Sequence, residues 1–373
     1  MSERPRDITP ALGTPGGPAS WREARPGAPV ELHQRDWADA RWSFLYGDDT
    51  AYATPGPPPD GLVEAANRAA RTGDPPPGLQ PARSMMKPPV WTWEVPLYFW
   101  FGGMAAGSAF VALACDLSGD HRSARLARKV SLAALAPSPP LLVMDLGRPK
   151  RFYNMLRIVK VRSPMSMGAW ALTAFGNLAA GAVAADLLGR RRLARALGGA
   201  NAVVGGYLGS YTGVLLAATA VPVWARSRLF LGPIFIATAT ATGASATRLA
   251  LVAAGLPVGH PTRVALGRVE TGAMATELVL SEINERRLGR LAESLEHGRP
   301  GRLFRTAKWL VRIGLGLRLG RRRFGPATHH VASGCYLAAA LCFRFAWVGA
   351  GRHSARDDEA VARMARGRAT MGE

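Results

Sequence analysis

The chain has 373 residues, 48% of them hydrophobic, and a formal net charge of +21. That length suffices for a large core or a multispan bundle, and the basic balance points to nucleic acid or membrane as partner. Residues 1–90 hold 10 Lys/Arg against 11 Asp/Glu, leaving 37 against 15 for the rest. There the arginines sit between long uncharged runs and no aromatic-interleaved basic patch occurs, which selects membrane lipid and excludes nucleic acid.

In chain order, residues 1–90 read as a Pro-rich polar extension, largely irregular. TPGPPPD (54–60) and GDPPPG (73–78) are stiff linkers. Between them Asp60 can cap a short helix over Gly61–Arg71. Trp37, Trp42, Phe44 and Tyr46 gather aromatics in a stretch too small for its own core, which lies either on its own membrane domain or against a partner subunit. The start, MSERPRDITPALG, has no basic-then-apolar leader pattern.

Residues 91–351 read as a transmembrane helical domain, followed by a polar tail over 352–373. Val95–Cys115 is free of charge for 21 residues, with Trp91 and Trp93 before it as interfacial anchors. Val130–Met144 is shorter and broken by Pro137, Pro139 and Pro140, a break tolerated only where neighbouring helices satisfy the freed backbone groups. Ser163–Ala185, Ala196–Ala225 and Leu229–Thr247 are strong apolar runs. TATATGASAT in the last alternates small residues as a tight helix interface does. Leu266–Ile283 carries Arg268, Glu270, Glu277 and Glu282, so its acidic side must face the protein interior or water. Leu303–Leu319 puts Arg305, Lys308 and Arg312 on one face and reads as readily as an interfacial helix as a span. Val331–Gly351 is interrupted by Arg344 near its end, where the side chain can snorkel.

The stretch Leu141–Trp170, LLVMDLGRPKRFYNMLRIVKVRSPMSMGAW, is a charged hairpin between two apolar runs and reads as a loop at a bilayer surface. Its words DLGRP-x-RF-x-NMLR and SPMS-x-GAW, with YFWFGGMAAGSAF (Tyr98–Phe110) upstream, resemble the NrfD or polysulfide reductase membrane subunit family from about Lys87 to Trp224. The resemblance implies an all-α polytopic membrane protein of about eight transmembrane helices in two four-helix bundles, in a bacterial plasma membrane. It also implies quinone or menaquinone as a diffusible substrate. The partners implied are a ferredoxin-like iron–sulfur subunit and the molybdopterin catalytic subunit it serves. With eight spans, the loops on the N-terminal side and those opposite hold 13 Lys/Arg each, so the positive-inside rule returns a tie. A long polar extension without a leader is easier to leave in the cytoplasm.

Seven histidines occur, His33, His121, His260, His297, His329, His330 and His353, none in the middle of an apolar run. Cys115, Cys335 and Cys342 have no CxxC or Cys/His spacing and read as helix packing residues. Neither haem, iron–sulfur cluster nor other metal is therefore expected in this chain. A redox role then means holding a diffusible carrier beside another subunit's cofactor, with no catalytic residue here.

In the polysulfide reductase member of the family this chain resembles, a histidine of the first helix and a tyrosine of the fourth contact the quinone. Aligned on FGGMAAG and on SYTGVLLAATAVPVW, the matching positions here are Tyr98 and Tyr211. Tyr98 can donate a hydrogen bond to a quinone carbonyl but does not titrate near neutrality as histidine does. Glu94, one turn earlier on the same face, can supply that proton chemistry. The alternative is that both tyrosines anchor helix ends among headgroups. Gly102, Gly103 and Gly107 would allow the close helix approach such a pocket needs, with Trp224 at headgroup level. Asp145 either relays protons at the pocket edge, tuned by Arg148, or closes a helix end with it. Glu277, the deepest acid of the sixth run, belongs to a proton path or ion site if that run spans. Arg148, Arg151, Asn154 and Arg157 face the partner, while Asp116 and Asp186 read as ordinary helix-end residues. Two other functions stay open: a small-substrate or ion transporter, drawing on the Pro-broken run and intramembrane acids, and a bare membrane anchor.

Overall fold

The computed structural model describes residues 86, 88–146, 149–157, 159–320, 325, 327–357 and 360–361. The chain divides after Lys87. Apart from Met86, the part before that division lies outside the described residues, including the helix expected over 61–71 and the aromatics of 37–46. Arg148 lies outside them too.

The helices are α1 (Glu94–Leu117), α2 (His121–Leu135), α3 (Ser138–Asp145), α4 (Pro164–Leu187), α5 (Arg191–Ala217), α6 (Pro222–Arg226), α7 (Arg228–Ala253), α8 (Pro261–Leu288), α9 (Glu293–Glu296), α10 (Gly298–Leu319) and α11 (Thr328–Ser354). 3-10 segments cover Pro149–Leu156, kinked at Arg151, and Gly289–Ala292, and no strand occurs among the described residues. Local chemistry sets their ends. Asp120 caps α2 by accepting the Ser123 N–H at 3.1 Å, and it also accepts the Thr262 hydroxyl. Burial pushes the Asp120 carboxyl up, but these hydrogen bonds hold it below the usual carboxylate range. Pro164, Pro222 and Pro261 open α4, α6 and α8, where a missing N–H leaves no bond unmade. Gly119, Gly189 and Gly255, at φ of 80°, 72° and 76°, end α1, α4 and α7 in a conformation that side chains resist.

Four helices, α1, α4, α7 and α11, are long and apolar enough to cross a membrane. The broken run from α2 through the 3-10 segment adds a fifth candidate, bent by 111°. Two sequence expectations change here. Ala196–Ala225 is not one helix: α5 stops at Ala217 and Pro222 starts α6, and α5 is less apolar than the four candidate spans. In α11, a candidate span by length and composition, Arg344 does not snorkel; it is 2% exposed and turned into the protein.

α1, α2, α4 and α5 pack as one group of helices, and α7, α8, α10 and α11 as a second. α7 joins them, packing on both α1 and α5. At that seam a Cβ on Gly107 would lie 1.9 Å from the Ala239 carbonyl oxygen, and one on Gly243 would lie 2.1 Å from the Gly107 carbonyl carbon. The small residues of TATATGASAT thus form the tight interface their pattern suggested. Gly103 and Gly107 of α1 face α7, while Gly102 borders the Tyr98 ring, 3.7 Å from Cε2 when a Cβ is added. α5 approaches α1 through its own Gly205 and Gly209, the latter 3.6 Å from the Ala106 Cβ when a Cβ is added.

Gly107→Ala or Gly243→Ala should destabilise the purified chain by about 1–3 kcal/mol or more, because backbone cannot yield as a side chain does. Gly206→Ala and Gly272→Ala, where an added Cβ meets nothing, should leave stability unchanged or raise it. Thermal unfolding midpoints in one detergent check both halves.

Candidate functional site

The second turn of α1 carries Tyr98, 2% exposed, its ring 5.6 Å from that of Phe99. Tyr211 on α5 is 3% exposed and stacks on Tyr207 at 5.5 Å. Room for it comes from Gly168 of α4, where an added Cβ would lie 2.1 Å from the Tyr211 hydroxyl oxygen. Tyr98 and Tyr211 are close enough to interact electrostatically. Both are enclosed by protein, which rules out headgroup anchoring, and neither hydroxyl makes a hydrogen bond among the described residues.

At the first residue of α1, partly buried Glu94 accepts a hydrogen bond from the Thr92 hydroxyl. Asp145, at the end of α3, lies within its electrostatic reach, and α3 packs on α1. The fold therefore gathers Glu94 with Asp145 and Tyr98 with Tyr211. Arg151 and Asn154 are exposed on the 3-10 segment and Arg157 in the turn just after it, and Arg157 Nη1 donates to Asn154 Oδ1 at 3.5 Å. Phe152 and Tyr153 are exposed beside them.

Trp224 is not a lipid-facing anchor. It is fully buried, donates from Nε1 to the Trp347 carbonyl at 2.8 Å, and stacks on Trp91 at 5.4 Å. Gly351 makes the space, since a Cβ there would lie 2.0 Å from the indole.

Three buried charge clusters escaped the sequence reading in whole or part. Asp116 and Asp186 are no ordinary helix ends. Arg128 of α2 donates to Asp116 at 2.5 Å and to both oxygens of Asp186 at 2.6 and 3.0 Å, tying α1, α2 and α4 together. Linear spacing gives no sign of a pairing across 58 residues. In the second group, fully buried Glu270 accepts the hydroxyls of Ser245 at 2.6 Å and Ser333 at 3.0 Å and forms an ion pair with Arg318. Arg248 completes that cluster through the Ser333 hydroxyl at 2.9 Å.

Glu277 heads the third cluster, 4% exposed on α8 and well apart from the tyrosines in the fold. The Ser281 hydroxyl donates to it at 2.7 Å. It lines a small cavity with Thr238 and Lys308. Arg344 donates to the Thr238 hydroxyl at 2.6 Å and lies 3.6 Å over the Phe235 ring. Among the described residues no group of three or more His, Cys, Asp or Glu side chains is placed to hold a metal.

A helical protein with several apolar helices of membrane length, and with charges such as Glu270, Glu277 and Arg344 turned inward, is an integral membrane protein. The family model of polysulphide reductase, NrfD, matches residues 82–283, more than half of the chain. The chain belongs to this family, whose members are membrane subunits of redox complexes. A search of curated proteins finds no match to it.

Arg128→Met should cost about 3–5 kcal/mol, because it leaves two buried carboxylates without their partner. Adding Asp116→Asn and Asp186→Asn to that variant should recover most of the loss. Unfolding midpoints of the single and triple variants measure this.

Proposed function

We propose that this chain is the quinone-reactive subunit of a multisubunit oxidoreductase in a bacterial plasma membrane. It exchanges electrons between the quinone pool and a peripheral iron–sulfur subunit that serves a molybdopterin catalytic subunit. One observation carries the reading: two buried tyrosines from facing helices, Tyr98 and Tyr211, with hydroxyls unbonded among the described residues, and one turn before Tyr98 on α1 an acidic residue, Glu94, within electrostatic reach of Asp145. Each tyrosine donates a hydrogen bond to a quinone carbonyl, worth on the order of 1 kcal/mol net. Glu94, assisted by Asp145, hands over the protons that reduction of the carbonyls requires, or takes them back on oxidation. Glu277 belongs to a second proton-handling cluster.

On this reading α5, α8 and α10 cross the membrane as well, making eight spans in two four-helix bundles. At 1.5 Å per residue their 27, 28 and 22 residues reach roughly 40, 42 and 33 Å. Each exceeds a hydrocarbon core of about 30 Å. In the middle of α8 Glu270 and Glu277 are buried, and the exposed residues from Val269 to Ile283 are Val269, Gly272, Thr276, Val279 and Ile283; exposed Arg268 precedes this stretch, and half-exposed Glu282 pairs with Lys308. Burial bears on the tie in loop charge: of the 13 basic residues opposite, Arg128, Arg263 and Arg318 are buried, which supports an N-terminal side in the cytoplasm. The exposed cations and aromatics of the 3-10 segment, with Arg148 before it, form the docking face for the iron–sulfur subunit.

Quinone turnover by the assembled complex tests the pocket. Tyr98→Phe and Tyr211→Phe should each slow it several-fold without loss of assembly, and Glu94→Gln should slow it and shift its pH profile. Arg151→Glu with Arg157→Glu should instead release the partner and leave the subunit inserted. Wild-type rates in all three pocket variants, with normal assembly, would leave the bare-anchor reading.

A further inference from the structure

The three buried charge clusters differ in one respect. Arg128 is closed on two aspartates, and Glu270 is closed by two serines and Arg318. Glu277 is left open. Among the described residues its one hydrogen bond is from Ser281 at 2.7 Å, and it forms no ion pair within 4.0 Å. Its cationic neighbours are engaged elsewhere. Arg344 of α11 is held by the Thr238 hydroxyl and the Phe235 carbonyl, with Nε and Nη1 unpartnered. Lys308 of α10 donates to Glu285 at 2.6 Å and to Glu282 at 3.4 Å. The other charge acting on Glu277 is Glu285 of its own helix, while α7 offers the uncharged Thr238. What Glu277 does face is a cavity with room for about one water molecule.

These groups form a graded line from surface to interior. Side-chain exposure falls from 45% at Glu282 to 18% at Glu285 and 17% at Lys308, and Glu277 is 4% exposed. Glu277, Ser281 and Glu285 repeat at i, i+4 and i+8 on one face of α8. Glu277 lies 11 residues from the helix end at Leu288, roughly 16 Å along the axis, which is about half a hydrocarbon core. Lys308 touches both ends of the gap, bonding Glu285 and lining the cavity with Glu277.

We propose that Glu277 is a proton-loading site in the second helix group, filled from the N-terminal side of the membrane through Glu285, Lys308 and one bridging water. In each loading the Lys308 ammonium gives a proton through the water to the Glu277 carboxylate, and the resulting amine takes a proton from solvent by way of Glu285. One proton moves inward and no electron is transferred. Protonation leaves Arg344 without a counter-charge from the helices around it. Arg344 lies beside Gly103 of α1, where an added Cβ would be 3.6 Å from Nη2, so loading alters the charge felt by the helix that carries Tyr98. The loading step itself stands whether or not quinone binds there.

Infrared spectroscopy of the full chain in lipid nanodiscs tests this without any turnover. An acid titration should reveal a protonated-carboxyl band that Glu277→Gln removes. After transfer to deuterated buffer, the shift of that band should be slowed roughly a hundredfold by Lys308→Met, the low end of what a positioned proton-transfer group contributes. Lys308→Arg, which keeps the ion pairs but does not release its proton, should slow it likewise. Glu285→Gln serves as the second variant if either Lys308 change prevents folding, which the thermal midpoint reports. A missing Glu277 band, or exchange at the wild-type rate in the folded variants, overturns the proposal.

Discussion

Between Gly107 and Gly243, α1 and α7 meet backbone to backbone, with no side chain between them. Close packing of small residues is how helices associate where lipid removes the hydrophobic drive. The consequences spread from that seam. α1 carries Tyr98 toward α5, while α7 presents Phe235 and Thr238 to Arg344 on the other side. A gap at the seam would separate the two helix groups and also the two sets of polar residues.

Charge burial is the second organising cost. An ion taken out of water needs close partners, and breaking such a set is far more damaging than never having it. Arg128 and Glu270 meet that demand with complete sets that tie helices together. Tyr98, Tyr211, Glu94 and Glu277 do not, and groups held in place with bonding capacity left over are the ones able to take a substrate or a proton.

Much of this was legible in the chain itself. Val95–Cys115 announced α1 by 21 uncharged residues, and the alternating small residues of α7 announced a tight interface. The hairpin words around Asp145 and Arg151 pointed to the family that matches residues 82–283. What stayed hidden depends on distance in sequence. Asp116 and Asp186 looked like helix ends because their cation sits in a third helix. Arg344 looked like a snorkelling residue because hydropathy cannot distinguish a cation facing lipid from one stacked on Phe235. The break before Pro222 was covered by apolar residues on both sides, so one run hid two helices.

The most direct test of the tyrosine pocket is photolabelling of the assembled complex in native membranes with a photoreactive quinone analogue, mapped by mass spectrometry. Label that excess natural quinone displaces should fall on the α1 peptide around Tyr98 and the α5 peptide around Tyr211. Displaceable label confined to α7–α11, or absent from both tyrosine peptides, would contradict a quinone site between α1 and α5.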